Sequence, residues 1–272
     1  HVGLKPEVKF LETISVVSKK DKEWGLLMER FEKAFLGTSD NARSCQIQNP
    51  WVIEFEKKND SLIAKSTEPV EILNEGLGYT ITFHLDKFYE KGEKFTIRGF
   101  AQFKAIQPKS MVDLDYWNEN RRKAYQGSVR HFFQALIHGT SENEGFRIYI
   151  DKNGYQRTFR SENFTQELAR AIDPLNPDSI AITQDTSSTG GYAIKVDRRL
   201  EIHYIKNISS KRLYSDISHQ VSWITPGSKF IEANFNGVYS DLSSFSVAGS
   251  MSLQRIGDLL PFDYSYILES EM

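Results

Sequence analysis

Cysteine is almost absent from this chain. The single Cys45 among 272 residues permits no internal disulfide and no cysteine-built zinc cage. Long apolar runs are missing too. The richest segment, around Phe132 to Ile137, falls far short of the roughly 20 residues that a membrane helix needs. There is no internal repeat and no low-complexity tract. Charge of one sign is not in excess, since 34 Lys plus Arg face 36 Asp plus Glu for a net charge of −2. With no aromatic-basic motif beside that balance, nucleic acid is not expected as a partner.

The signatures of common chemistries are missing as well. A helical zinc site needs paired spacing such as His-Glu-x-x-His, and the histidines show none; His131 and His138 are seven apart without a close carboxylate. A serine nucleophile usually sits in Gly-x-Ser-x-Gly, and the nearest string, Gly127-Ser-Val-Arg-His131, lacks the second glycine and falls inside a helical pattern. Gly190-Gly191 lacks the Lys-Ser/Thr of a phosphate loop, and the glycines at 76 and 78 open no helix. No catalytic residue, metal ligand or cofactor is therefore assigned. Carboxylate pairs for glycoside hydrolysis lie far apart in sequence, so a hydrolase stays open as an alternative.

What is present is a folded composition, 39% hydrophobic and 26% charged, too apolar for disorder. From Lys22 to Phe35 the large apolar residues fall at Trp24, Leu27, Met28, Phe31, Ala34 and Phe35, the one-face spacing of an amphipathic helix. From Trp51 the period shortens to about two and continues through Ile97 and Ala101, an antiparallel meander of about four strands. A long helix is expected from Tyr116 to Ile137, capped by Asp113 or Asp115 and ended by Gly139. Beyond it, Phe146 to Ile150, Leu200 to Ile205, Val221 to Ile224, Lys229 to Phe235 and Ser244 to Gly249 read as strands. Asn153-Gly154 signals a hairpin turn. Short helices are expected at Phe164–Ile172 and Leu253–Leu260, and a loop from Pro177 to Gly191. The sum is α+β: antiparallel β-sheets with two main helices.

On a helical wheel the long helix carries Trp117, Ala124, Tyr125, Ser128, Phe132, Ala135 and Leu136 in one arc, and Arg121 falls inside it. A buried guanidinium cannot shed its charge, so it must meet a carboxylate, carbonyls or a ligand anion, or reach past the helix edge to water. Two readings stay open at this point. Arg121 clamps strand or loop carbonyls, or Arg121, Tyr125, Ser128 and His131 form a small anion or sugar site.

Phe35-Leu-Gly-Thr-Ser-Asp-Asn-Ala-Arg-Ser-Cys-Gln-Ile-Gln-Asn-Pro50, Leu77-Gly-Tyr-Thr-Ile-Thr-Phe83, the helix pattern Trp117-x-x-Asn-Arg-x-x-Ala-Tyr-x-Gly-Ser-x-Arg-His-Phe132 and the ending Leu259-Leu-Pro-Phe-Asp-Tyr264 together resemble exported Bacteroidetes proteins labelled carboxypeptidase-like regulatory domain-containing. In such proteins a small transthyretin-like β-sandwich precedes a region like this one. The resemblance implies that residues 1–20 are a linker or strand remnant of that sandwich; from the residue pattern, 21–140 hold a helix, the meander and the long helix, and 141–272 are mostly β, packed with the first part or forming a second subdomain. It implies export to the periplasm, outer membrane or cell surface, and no peptidase activity. The function expected is a non-enzymatic binding or scaffolding module of the cell envelope, with an envelope protein or a glycan as partner. The alternative is a glycan- or peptide-acting hydrolase.

Overall fold

The structure is a computed structural model and describes residues 14–17, 22–92, 94–152, 161–185, 191–209, 212–239, 241 and 243–264. It is α+β with antiparallel sheets. The chain divides into two compact units, His1–Pro108 and Lys109–Met272. The break thus falls ahead of the central helices rather than behind residue 140.

The first unit contains β1 (Ile14–Val17), α1 (Lys22–Phe35), the single turn α2 (Asp40–Arg43), β2 (Cys45–Ile47), β3 (Ile53–Lys58), β4 (Ser61–Ser66), β5 (Val70–Asn74), β6 (Tyr79–Lys91) and β7 (Lys94–Ala105). Its seven-stranded sheet runs β1-β3-β4-β6-β5-β2, with β7 joined to β6. Ile14–Val17, expected as part of a hand-over from another domain, pair along the outside of β3. The helix forms where the 3.6-residue spacing placed it, and Leu27, Met28, Phe31 and Phe35 are buried. Phe31 meets Phe55 and Phe88, and Phe35 meets Phe83, with ring centroids 4.7 to 5.7 Å apart. Full burial of each such ring contributes about 1.5–3 kcal/mol. Cys45 is half-buried with its thiol toward Asn41 O at 3.3 Å. β6 is long enough to bond β5 through Tyr79–Phe83, β4 through Phe88–Glu90, and β7 along its whole length.

The second unit contains α3 (Met111–Tyr125), α4 (Val129–Ile137), β8 (Phe146–Asp151), α5 (Phe164–Arg170), β9 (Ile172–Leu175), β10 (Ile182–Asp185), β11 (Gly191–Lys195), β12 (Leu200–Ile208), β13 (His219–Pro226), β14 (Phe230–Asn234) and β15 (Phe245–Gly249). They form a five-stranded sheet, β15-β13-β12-β8-β9, and a three-stranded sheet, β10-β11-β14. Leu200, Ile202 and Tyr204 of β12 join Phe132, Phe133, Phe146, Ile194, Ile224 and Ile231 in one core. That shared core is why the helices belong with the later strands.

The expected single helix from Tyr116 to Ile137 is two. Ser110 caps α3, its hydroxyl accepting from Asp113 N–H while Asp113 reaches back to the Ser110 N–H, a reciprocal box that displaces Asp113 and Asp115 as caps. The break comes at Gly127, whose φ of +70° is the left-handed region open to glycine. Ser128 then restarts the chain as the N-cap of α4, accepting from His131 N–H at 3.0 Å. A wheel drawn through both segments ignores this stop and restart.

Other segments also differ from expectation. The stretch taken as a loop from Pro177 contains a 3₁₀ turn (Pro177–Ser179) and β10. α5 stops at Arg170, and Ile172–Leu175 is an edge strand, where Pro174 is tolerated. Leu253–Leu260 is not a helix; two 3₁₀ turns, Ser250–Leu253 and Ile256–Asp258, occupy that region. The Asn153-Gly154 turn lies outside the described residues.

Gly127 and Gly139 test the break. Both have φ near +70°, but a Cβ on Gly127 would come within 2.6 Å of Gln220 Oε1 and 2.7 Å of the Tyr204 ring, whereas one on Gly139 meets nothing within 4 Å. Gly139→Ala is expected to cost about 1–2 kcal/mol for the left-handed backbone alone. Gly127→Ala is expected to cost at least about 1 kcal/mol more, since overpacking is added. Urea unfolding of the two variants measures the difference.

Candidate functional site

The residues singled out from the sequence do not form one site. Tyr125, Ser128 and His131 come together at the helix break. Tyr125 closes α3 and its hydroxyl donates to Gln134 Oε1. His131 is buried, accepts the Gly127 N–H at Nδ1 (3.1 Å), and places Nε2 3.3 Å from Glu144 Oε2. Since Nδ1 accepts, the ring proton of the neutral form sits on Nε2 and points at the carboxylate. Rings of Tyr125, Phe146 and Tyr204 surround the imidazole at 4.7 to 5.6 Å. Burial pushes the His131 pKa down, against the opposing influence of Glu144, and the His131 bond holds Glu144 below the usual carboxylate range. Burial also pushes the Tyr125 hydroxyl well up. The Tyr125 and Gly127 bonds join the two helices, and the Glu144 bond ties α4 to the segment that follows it.

Arg121 does not point into the core. Its guanidinium approaches Asn118 Oδ1 at 3.4 Å in an exposed position and lies 6.0 Å from the Trp117 ring, both on its own helix. A clamp on carbonyls, one of the arrangements open for Arg121, is built by Arg130. Nε bonds Asn236 O at 3.1 Å, Nη1 bonds Pro261 O at 2.6 Å, and Nη2 bonds Phe262 O and Tyr264 O at 2.8 and 2.6 Å. Burial lowers its pKa, partly offset by Tyr125, Tyr264 and Asp263, yet a guanidinium keeps its charge. Arg121 shares a stripe with Trp117, Ala124 and Tyr125 within α3, and its long side chain carries the guanidinium towards the helix surface.

A different cluster, which sequence reasoning missed, lies on the other face of the five-stranded sheet. Glu201 and His203 alternate with the core residues of β12 and stand beside Trp223 and Val221 of β13 and Tyr149 of β8. Phe164, Leu213, Tyr214 and Ile217 cover them. Glu201 is 2% exposed and His203 1%, so both carboxylate oxygens must find donors within the protein. Oε1 accepts from the Tyr214 hydroxyl at 2.7 Å and from His203 Nε2 at 3.1 Å; Oε2 accepts from Trp223 Nε1 at 2.7 Å. Burial alone would raise the Glu201 pKa, but those three donors outweigh it and leave the carboxyl below its ordinary value. With Nε2 committed to Glu201, His203 Nδ1 faces His219 Nε2 at 2.9 Å. His219 is half-buried, and its pKa is lowered by burial and by His203.

Glu201, His203 and His219 thus form a line from a buried carboxylate to the edge of its covering layer. The one hydroxyl that the described residues bring to the line is the phenol of Tyr214, which is buried and donates to Glu201. Among the described residues no group of three His, Cys, Asp or Glu is placed to hold a metal ion. The spacing Glu-x-His on a strand was the available sequence signal, since it puts both side chains on one face.

A scan against models of known protein families, a search of curated proteins and a search of solved structures find no match to this chain.

Glu201→Gln keeps the shape but turns an amide NH₂ toward at least one of three donors, and is expected to cost about 2–3 kcal/mol at neutral pH. The histidines set the pH dependence. His131 and His219 have folded pKa values below the ordinary 6.5, so the unfolded chain takes up protons first as the pH falls. Stability drops from about pH 7 towards pH 5 and is restored as the pH rises again. His219→Gln, followed by urea unfolding across that range, is expected to show a smaller drop than the parent chain.

Proposed function

We propose that this chain is a non-enzymatic binding or scaffolding module, acting on the exported side of a bacterial envelope and engaging an envelope protein or glycan. The compartment rests on the family resemblance. The observation that carries the binding reading is β7. It is a 12-residue strand at the edge of the first unit's sheet, with none of its residues fully buried. Lys94, Thr96, Arg98, Phe100, Gln102 and Lys104 are all exposed along one side of it. Sheet edges and their adjoining faces are a common means of recognition in antiparallel folds.

The hydrolase alternative has one observation in its favour, the relay from Glu201 through His203 to the half-buried His219. Glu201 is committed to three donors, however, and Glu144 to His131. Neither is a free acid or base at the mouth of a cleft.

Incubating the purified chain with envelope extract from a bacterium of the resembling group separates the two. A binding module retains a component saturably and releases it chemically unchanged. New reducing ends or new peptide termini in the extract, lost in His219→Gln, would replace this reading with the hydrolase.

A further inference from the structure

The two long strands β6 and β7 form a ribbon whose outer face is cationic. Facing pairs across it are Thr80 with Lys104, Thr82 with Gln102, His84 with Phe100, Lys87 with Arg98, Tyr89 with Thr96, and Lys91 with Lys94. Paired residues share a face, and the opposite side holds Tyr79, Ile81, Phe83 and Phe88 in the core. Five basic side chains, Lys87, Lys91, Lys94, Arg98 and Lys104, therefore stand on one side of a chain whose net charge is −2. The acids nearby are partly committed. Asp86, at the bulge in β6, pairs with Arg98. Glu71 accepts from the Thr82 hydroxyl at 2.9 Å, and Glu56 bonds Lys65 on β4 at 2.7 Å. Among the described residues Lys87, Lys91, Lys94 and Lys104 have no carboxylate partner. Glu93 lies outside the described residues.

An aromatic platform sits in the middle of this face. The His84 and Phe100 rings stack at 4.2 Å and 9°, and Phe100 remains 53% exposed, so its other face meets solvent. Beside it is a shallow depression of about 300 Å³, walled by Ser66, Thr67, Glu68 and Pro69 opposite His84 and Phe100. Hydroxyls, a carboxylate acceptor and an exposed ring are thus flanked by lysines along a ribbon about 40 Å long at 3.3–3.4 Å per residue.

We propose that this face binds a linear, negatively charged polysaccharide, one sugar ring stacking on Phe100 and the acidic groups spreading over Lys87, Lys91, Lys94 and Lys104. The proposal rests on the binding-module reading and names its ligand. Charge complementarity selects a polyanion. The ring selects among polyanions. The apolar C–H face of a pyranose covers one aromatic platform, and Ser66, Thr67 and Glu68 are in place for its hydroxyls. A single-stranded nucleic acid draws its affinity from successive stacked bases, whereas Tyr89, the next ring along the ribbon, is half-buried with its hydroxyl 3.0 Å from Ser61. An added peptide strand is disfavoured by lysines and arginine spaced along the edge.

The test uses the full chain with immobilised polygalacturonate and dextran sulfate as acidic probes, dextran as the neutral one, and oligo(dT) as the nucleic acid, at about 50 and 300 mM salt. Binding to at least one acidic polysaccharide, weaker at the higher salt, with little binding to dextran and weaker binding to oligo(dT), is expected. Lys87→Glu/Lys94→Glu/Lys104→Glu is expected to lose at least about tenfold in affinity, and Phe100→Ala about threefold or more. Melting temperatures of both variants serve as the folding control, since all four side chains are exposed. No binding to either acidic polysaccharide, oligo(dT) binding as tight, or Phe100→Ala unchanged while the triple variant fails (simple ion exchange) would each overturn the assignment. Retention of an envelope component by the triple variant would remove the polysaccharide while leaving the binding-module reading in place.

Discussion

The second unit depends on a charge that cannot be neutralised. Arg130, on the first turn of α4, enters a partly buried site where backbone carbonyls of Asn236, Pro261, Phe262 and Tyr264 converge on its guanidinium. Five fixed donors in a planar fork suit such a cage, because carbonyls supply acceptors without adding a second desolvated charge. The arrangement ties α4 to the turn after β14 and to the segment that follows the last 3₁₀ turn, more than a hundred residues away in sequence. Once α4 is held there, Phe132, Phe133 and Leu136 have one face to fill, and the core of both sheets closes on it. The same seating fixes the helix break, for Gly127 has to turn where Tyr204 and Gln220 leave no room for a side chain.

How much of this was legible in the sequence depends on the range of the interaction. α1 was readable from the spacing of Leu27, Met28, Phe31 and Phe35, and most strands from alternation, because a single buried face writes its period into the residues. Gly127 and Ser128 are visible as residues, yet a continuous wheel absorbs them, and Arg130, whose carbonyl partners lie more than a hundred residues away, carries no local signal of its role. A stop-and-restart junction uses two local signals, a left-handed glycine and a capping serine, and the hydrophobic pattern on either side is too similar to reveal the rotation between them. β10 and β9 were hidden for another reason. Short edge strands need few apolar residues, and polar ones or a proline satisfy them.

Glu201 and His203 were the least legible. Alternating polar residues on a strand normally mark a solvent face, and the pattern from Leu200 to Ile205 fits that reading. Their burial comes from Phe164 and from residues 213–217, a cover whose apolar content is modest and whose position is fixed only by the fold. Covering two ionisable groups is tolerable because Tyr214, Trp223 and His203 all donate to the carboxylate, while His219 bonds the other ring nitrogen of His203. One side of the sheet is thus packed mainly by apolar side chains and the other carries a buried hydrogen-bonded cluster, which demands the stricter geometry of the two.

Trp223 gives that stricter side an optical handle. Its indole N–H donates to Glu201 while its ring lies in the small cluster with Tyr214 and Val221. Of the chain's four tryptophans, Trp24 and Trp51 belong to the first unit and Trp117 and Trp223 to the second, and Trp51 is 61% exposed against 8% for Trp223. A buried indole emits to the blue of an exposed one, so loosening of the covered face exposes Trp223 and is expected to move its emission to the red.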